Sequence, residues 1–255
     1  MIDWAWRIPF LSSFVLVAIG LYVRLKLTEA TIFIAALNKP KPKALPMVEV
    51  IVTHFKPFFL GMFICIAGYV LFYIMIAFSQ IYAKSAPIIS EAGYVMGLGF
   101  SPQIFTALLM FSSVSLAITI TISGKYIDKV GRRIWLIWTT VGVALFGLAL
   151  PYFLKNGTTV SLFWFLITGM GLIGMGYGPL SSFLPELFPT HVRYTGSSLT
   201  YNIAGLFGAS VAAIIALPLN ANYGLKGVGI YLTLNAILSL IGLWFIEETR
   251  DRQLL

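Results

Sequence analysis

Charge is what this sequence has least of. Asp, Glu, Lys and Arg make up 10% of the 255 residues, against 59% apolar ones. A soluble domain runs near 25% charged, so this chain has too little polar surface to cover a water-soluble globule. Cysteine is nearly absent. Cys65 stands alone within an apolar run, which excludes a disulfide framework or a thiolate metal site within one chain. His54 and His191 are the only histidines, and two histidines so far apart do not build a metal site alone. Met1–Arg7 has no strongly basic n-region and no clear small-residue cleavage site after it, so the first apolar run reads as a helix and not a signal peptide.

What is present is a series of seven apolar runs: Ile8–Leu27, Pro57–Tyr82, Gln103–Ser123, Ile134–Leu154, Thr158–Phe183, Gly196–Leu217 and Gly227–Ile246. Crossing a bilayer as a helix takes about 20 residues. Only the first run contains charge, Arg24 and Lys26 at its end, where long side chains reach the headgroups. Its uncharged part, Ile8–Val23, is short for a core of about 30 Å. The expected fold is an all-α multi-pass membrane protein. Residues 1–27 form a lone transmembrane helix, 28–56 a cytoplasmic linker, 57–248 a six-helix bundle and 249–255 a tail. Lys39-Pro40-Lys41-Pro42-Lys43 and Pro46 keep much of the linker extended, and Met47–Phe55 reads as a short amphipathic helix. The six later spans divide into two groups of three. An odd count gives the groups opposite orientation, as an inverted 3+3 repeat requires.

The net charge of +8 follows the loops. Arg7, Lys84, Lys155 and Lys226 fall on one side of the membrane and every other lysine and arginine on the opposite side. Basic loops stay cytoplasmic, which puts the N-terminus outside and the C-terminus inside a cell membrane. The basic residues are spread over short loops with no aromatic-rich basic segment, so nucleic acid is not an expected partner. Small residues mark helix contacts: Gly174 and Gly178 form a GxxxG pair, and Gly205, Ala209 and Ala213 form a stripe. The glycines from Gly169 to Gly178, followed by Pro179, suggest a bend in the fifth span.

Two loop motifs stand out. The first is Gly124-Lys125-Tyr126-Ile127-Asp128-Lys129-Val130-Gly131-Arg132-Arg133, read as a very short charged loop between two spans. The second runs from Pro185-Glu186-Leu187-Phe188-Pro189-Thr190 to His191-Val192-Arg193-Tyr194-Thr195-Gly196. The first resembles the signature loop of the major facilitator superfamily of transporters. Together with Trp6-Arg7-Ile8-Pro9-Phe10, the two resemble its metabolite:proton symporters, which include carriers of oxoglutarate, citrate, shikimate, proline and betaine. The resemblance covers about Trp6 to Glu248. Full members have twelve membrane helices, and this chain matches helix six, the central loop and helices seven to twelve. The family's proton-coupling acid and arginine lie largely in the half that is not matched.

The resemblance implies a cytoplasmic gate built from Gly124, Asp128, Gly131, Arg132, Arg133, Glu186 and Arg193. Asp128 would face the positive N-terminal end of a neighbouring helix, and Arg132 or Arg133 would pair bidentately with Glu186. Lys125 and Lys129 read as topology anchors. In the family fold the first helix of each triplet lines the central cavity, which makes Tyr69, Tyr73, Gln80, Trp164, Tyr177 and Ser181 the cavity candidates. Tyr69, Tyr73 and Gln80 share a face at i, i+4, i+11. The resemblance implies secondary transport of a small polar metabolite (organic acid, sugar or zwitterion). Proton coupling would need a separate N-terminal half, or the chain self-associates. No catalytic residue, cofactor or metal is expected, because the bundle spans hold no acid, base or histidine. The alternatives are a seven-helix receptor or a non-transporting membrane fragment. A retinal protein is excluded because Gly227–Ile246 has no lysine.

Overall fold

The computed structural model describes Trp4, residues 7–26 and residues 45–249. The proline–lysine run of the linker and the tail from residue 250 lie outside the described residues. The chain divides into two units, Met1–Pro42 and Lys43–Leu255. The first contains α1, Arg7–Lys26. Its apolar stretch Phe10–Leu25 is about 24 Å long at 1.5 Å per residue, short of the hydrocarbon thickness. Arg7 lies 4.8 Å over the Trp4 ring.

The second unit is helical, with no strand among the described residues. Helix α2, Pro46–Thr53, starts with proline at its first position and buries Val50 against the bundle. Helix α3 runs through Phe55–Lys84, α4 is Pro102–Val130, α5 is Arg132–Leu154 and α6 is Thr159–Glu186. The last helical stretch, Arg193–Phe245, has 53 residues, about 80 Å of helix, far more than one crossing. It is broken at Gly224, where φ is 64° and ψ −168°. Residues 193–223 are therefore α7 and residues 225–245 α8. Ser101 and Thr158 cap α4 and α6, accepting from the amides of Ile104 and Ser161.

Helix ends differ from expectation at two places. Residues 124–130, expected as loop, continue α4 as helix, and the turn to α5 is the single residue Gly131, φ 104°. At 29 residues α4 is about 43 Å long, so its charged end stands clear of the hydrocarbon. Likewise the stretch Pro218–Lys226, between the last two apolar runs, is helical up to the break at Gly224.

Helices in lipid gain no hydrophobic drive from meeting each other, so close packing holds them. Helix α6 packs on α4 through Gly171, Gly174 and Gly178, which face Ser115, Thr119 and Ser123. Ser115 Oγ donates to Ile167 O across the seam at 3.1 Å. Helices α5 and α8 meet backbone to backbone at Gly147 and Gly229, where Thr233 Oγ1 donates to Ala144 O at 3.0 Å. Helix α3 meets α8 through Ser239, whose Oγ donates to Phe63 O at 2.6 Å. It meets α7 where Gly205 and Gly208 face Tyr69. Exchanging α3 with α6, α4 with α7 and α5 with α8 turns the α4–α6 seam into α7–α3, and α5–α6 into α8–α3. The α5–α8 seam maps onto itself. That neighbour pattern is the one two related triplets produce. Its core includes Val70, Leu71, Ile74, Met75 and Phe78 of α3, all essentially inaccessible.

Candidate functional site

At the Gly131 end the structure gathers charge from three helices. Arg132 Nη1 lies 2.7 Å from Glu186 Oε2, with the two side chains only 17% and 12% exposed. This joins the start of α5 to the end of α6. The contact is through one oxygen rather than the expected bidentate fork, and the same oxygen, Glu186 Oε2, also accepts from Thr249 Oγ1 at 2.7 Å. Arg132 Nη2 reaches Asp128 at 3.6 Å, but that carboxylate is 74% exposed, so solvent weakens the pair. Arg132 Nε is buried without a partner.

Asp128 does not meet a helix N-terminus. Glu248 does, accepting from the amides of Arg132 and Arg133 at 3.0 Å each. It faces the positive end of α5. Arg133 turns away from Glu186 and caps α8 instead: its Nε donates to Leu243 O at 2.8 Å and its Nη2 to Trp244 O at 3.0 Å. The α5 start and α8 end therefore cap each other. Gly131 is needed on two counts, its positive φ and the position of Glu248 Oε2, 2.8 Å from where a Cβ would stand. Gly124 is different. It is helical with open space around it, and nothing in the structure explains a glycine there. Arg193 stays local, reaching Phe188 O and Thr190 Oγ1 at 3.4 Å each, and does not join Glu186.

Between α3, α5, α6 and α7 lies a cavity of ≈ 130 Å³. Its polar lining is Tyr69, Thr139, Thr140, Tyr177 and Tyr201. The two threonine hydroxyls donate back to Trp135 O and Leu136 O of their own helix, which leaves the phenols as the groups that face inward. Tyr201 donates to the Tyr177 hydroxyl at 3.0 Å, and the Tyr69 and Tyr201 rings stand 4.9 Å apart. Tyr177, Leu180 and Tyr201 are shared with a second, more open cavity of ≈ 300 Å³, which also takes Ser181, Tyr194, Ser197 and Ser198. A small metabolite fits at that scale.

Of the expected cavity residues, Tyr69, Tyr177 and Ser181 line these spaces. Tyr73 does not; its hydroxyl donates to Ala213 O on α7 at 3.4 Å. Gln80 is exposed and lines neither cavity. The π-helical turn Ile74–Phe78 intervenes, and one inserted residue rotates the remainder of the helix by about 100°. Trp164 is 56% exposed on the outside of α6. The sequence reading missed Tyr201, although it lies at i+7 from Tyr194 on α7. It missed Glu248 and Thr249, whose signal was an acid placed just after the last span. It also kept apart His54 and His191, which the fold brings together with Glu49.

Comparison with known proteins agrees with this architecture. The Major Facilitator Superfamily model matches residues 1–213. A Haemophilus influenzae protein named for metabolite transport is 85% identical over 254 residues, 100% of this chain and 57% of that protein. The inner membrane metabolite transport protein YhjE of Escherichia coli K12 is 40% identical over 253 residues, 99% of this chain and 56% of that protein. The proline/betaine transporter of Salmonella typhimurium is 26% identical over 265 residues, 99% of this chain and 50% of that protein. No solved structure matches. The chain belongs to the major facilitator superfamily. It spans about half the length of the curated relatives it matches.

Proposed function

We propose that this chain forms the C-terminal, six-helix wall of a secondary transporter for small polar metabolites. The observation that carries the reading is the nearly buried Arg132–Glu186 pair at one end of the bundle, with the tyrosine-lined cavities beside α6 and α7. In this reading the Gly131 end is cytoplasmic and the pair is an inner clasp, closed in this structure and parted when the inner side opens. Asp128 and Glu248 support it from either side of Gly131. The opposing wall comes from a second six-helix unit, because alternating access rocks one half against another about a midplane site. The membrane-spanning segments of the bundle carry no acid or histidine, so proton coupling needs titratable groups from that second unit.

The wall suits a zwitterion better than a simple anion. The polar groups that line the two tyrosine cavities are phenols and hydroxyls, with no lysine, arginine or histidine among the described residues there. Aromatic faces attract a quaternary or secondary ammonium, and hydroxyls can donate to a carboxylate. The test is uptake of labelled proline, glycine betaine and citrate into vesicles. The chain would be measured alone and co-expressed with the segment of the Haemophilus influenzae relative that it does not cover. We expect saturable uptake of a zwitterion only with both segments present. Gradient-driven uptake by the 255-residue chain alone would overturn the two-wall reading. For orientation, cysteine at Glu91 should react with an impermeant reagent outside intact cells and cysteine at Lys125 should not. The native Cys65 is buried and gives little background.

A further inference from the structure

Three potential metal ligands that the sequence separates converge at one edge of the bundle. Glu49 lies on α2, His54 joins α2 to α3, and His191 lies in the turn between α6 and α7. One donor atom from each lies within 4.8 Å of the others, and His191 Nε2 approaches Glu49 Oε1 to 2.6 Å. We propose that these three side chains bind a divalent transition-metal ion of the zinc class and thereby tie α2 to the α6–α7 turn.

The donor chemistry selects the ion. Two imidazoles and a carboxylate are a zinc ligand set, whereas magnesium and calcium take oxygen ligands. Zinc bonds of about 2.1 Å place tetrahedral donors about 3.4 Å apart. The present spread brackets that spacing, so the close His191–Glu49 pair opens and the wider separations close by side-chain rotation. A plain histidine–glutamate hydrogen bond needs only two of the three groups; His54 supplies a second imidazole that such a bond does not use. Glu49 and His54 are half-buried and His191 is exposed, which leaves the fourth position facing solvent for water. These are the only two histidines in the chain, and its one cysteine is buried, so a competing soft-ligand site is lacking among the described residues. The three ligands are none of the residues of the Arg132–Glu186 pair or of the tyrosine cavities, and their test requires no transport.

The experiment is a zinc titration of the full chain in lipid nanodiscs, with any affinity tag removed, followed by Co²⁺ as a spectroscopic probe. A single zinc ion per chain is expected, together with visible Co²⁺ absorption of a four- or five-coordinate nitrogen and oxygen site. His54→Ala, His191→Ala and Glu49→Gln should each weaken zinc binding by about tenfold or more, with elution profiles unchanged in the absence of metal. Should either alanine variant fail to fold, His54→Gln and His191→Gln keep the size and replace the donor. Absence of stoichiometric zinc in the wild-type chain would overturn the proposal. So would undiminished binding in the His54→Ala/His191→Ala chain.

Discussion

The two ends of this bundle are closed with different chemistry. At the Gly131 end, α5, α6 and α8 are joined by Arg132–Glu186, by Glu248 on the α5 amides and by Arg133 on the α8 carbonyls. At the Gly224 end most contacts are neutral, although Lys84 Nζ lies 5.5 Å over the Phe105 ring. The segment between α3 and α4 folds back on itself, with Met96 N bonded to Ile88 O at 2.8 Å. Ser90 Oγ donates to Ala221 O at 2.7 Å, Asn220 Nδ2 to Val95 O at 3.5 Å, and the Tyr94 ring lies against Gly224. Charged side chains can exchange partners with water and with each other, so they suit the opening contact proposed for the Gly131 end. In the reading proposed above, the Gly224 end serves as a joint and the Gly131 end as a clasp.

Substitutions can break that contrast. The largest effect is expected at the joint. Gly224→Val puts a branched side chain at a positive φ and within 2.6 Å of Tyr94 Cδ1; strain and overpacking should remove about 3 kcal/mol or more of stability. The measurement is thermal unfolding in detergent, with loss of the monodisperse peak. Next is the clasp. Arg132→Ala leaves the Glu186 carboxylate with only the Thr249 hydroxyl, and breaking a largely buried pair weakens the closed state by about 2–3 kcal/mol. Uptake in the two-segment system should fall by more than about tenfold, with membrane content nearly unchanged by immunoblot. Arg132→Lys should also fail, because lysine cannot serve Glu186 and Asp128 with one planar group.

Smaller effects sharpen the picture. Glu248→Ala strips the acceptor from two amides at the start of α5 and should lower the melting temperature, with a loss of about 1–2 kcal/mol. Gly124→Ala should do the reverse. That glycine is helical with nothing near its missing Cβ, so alanine should add about 0.5–1 kcal/mol to stability. Gly131→Ala, by contrast, should be harmful in the same melting assay.

Much of this was legible in the sequence, and the failures have physical causes. Apolar runs free of charge locate helices in lipid, because a charge there is costly, and the six bundle helices lie where those runs are. Their ends did not follow, because charge marks the membrane surface and not the last helical residue. Lys125 to Lys129 stay helical beyond the hydrocarbon, and α7 stays helical past Pro218. Tyr69 and Tyr177 line the ≈ 130 Å³ cavity while Gln80 lies off it, since a π-helical turn, with no evident signal in Ile74–Phe78, shifts the helical phase between Tyr69 and Gln80. The partners of Arg132 and Arg133 depended on tertiary closure. Spacing placed Asp128, Arg132 and Glu186 at one end, but only the fold decides that Glu248 takes the α5 amides and Arg133 the α8 carbonyls.

The claim that Arg132 and Glu186 act as one clasp is tested most directly by a double-mutant cycle on uptake in the two-segment system. Arg132→Ala and Glu186→Ala are measured singly and together. If the two side chains serve each other, the second substitution adds little to the first. The double variant should then transport within about twofold of the worse single one, a coupling of at least about 1 kcal/mol. Single effects that multiply in the double variant, or single variants that transport as well as the parent chain, would contradict the account.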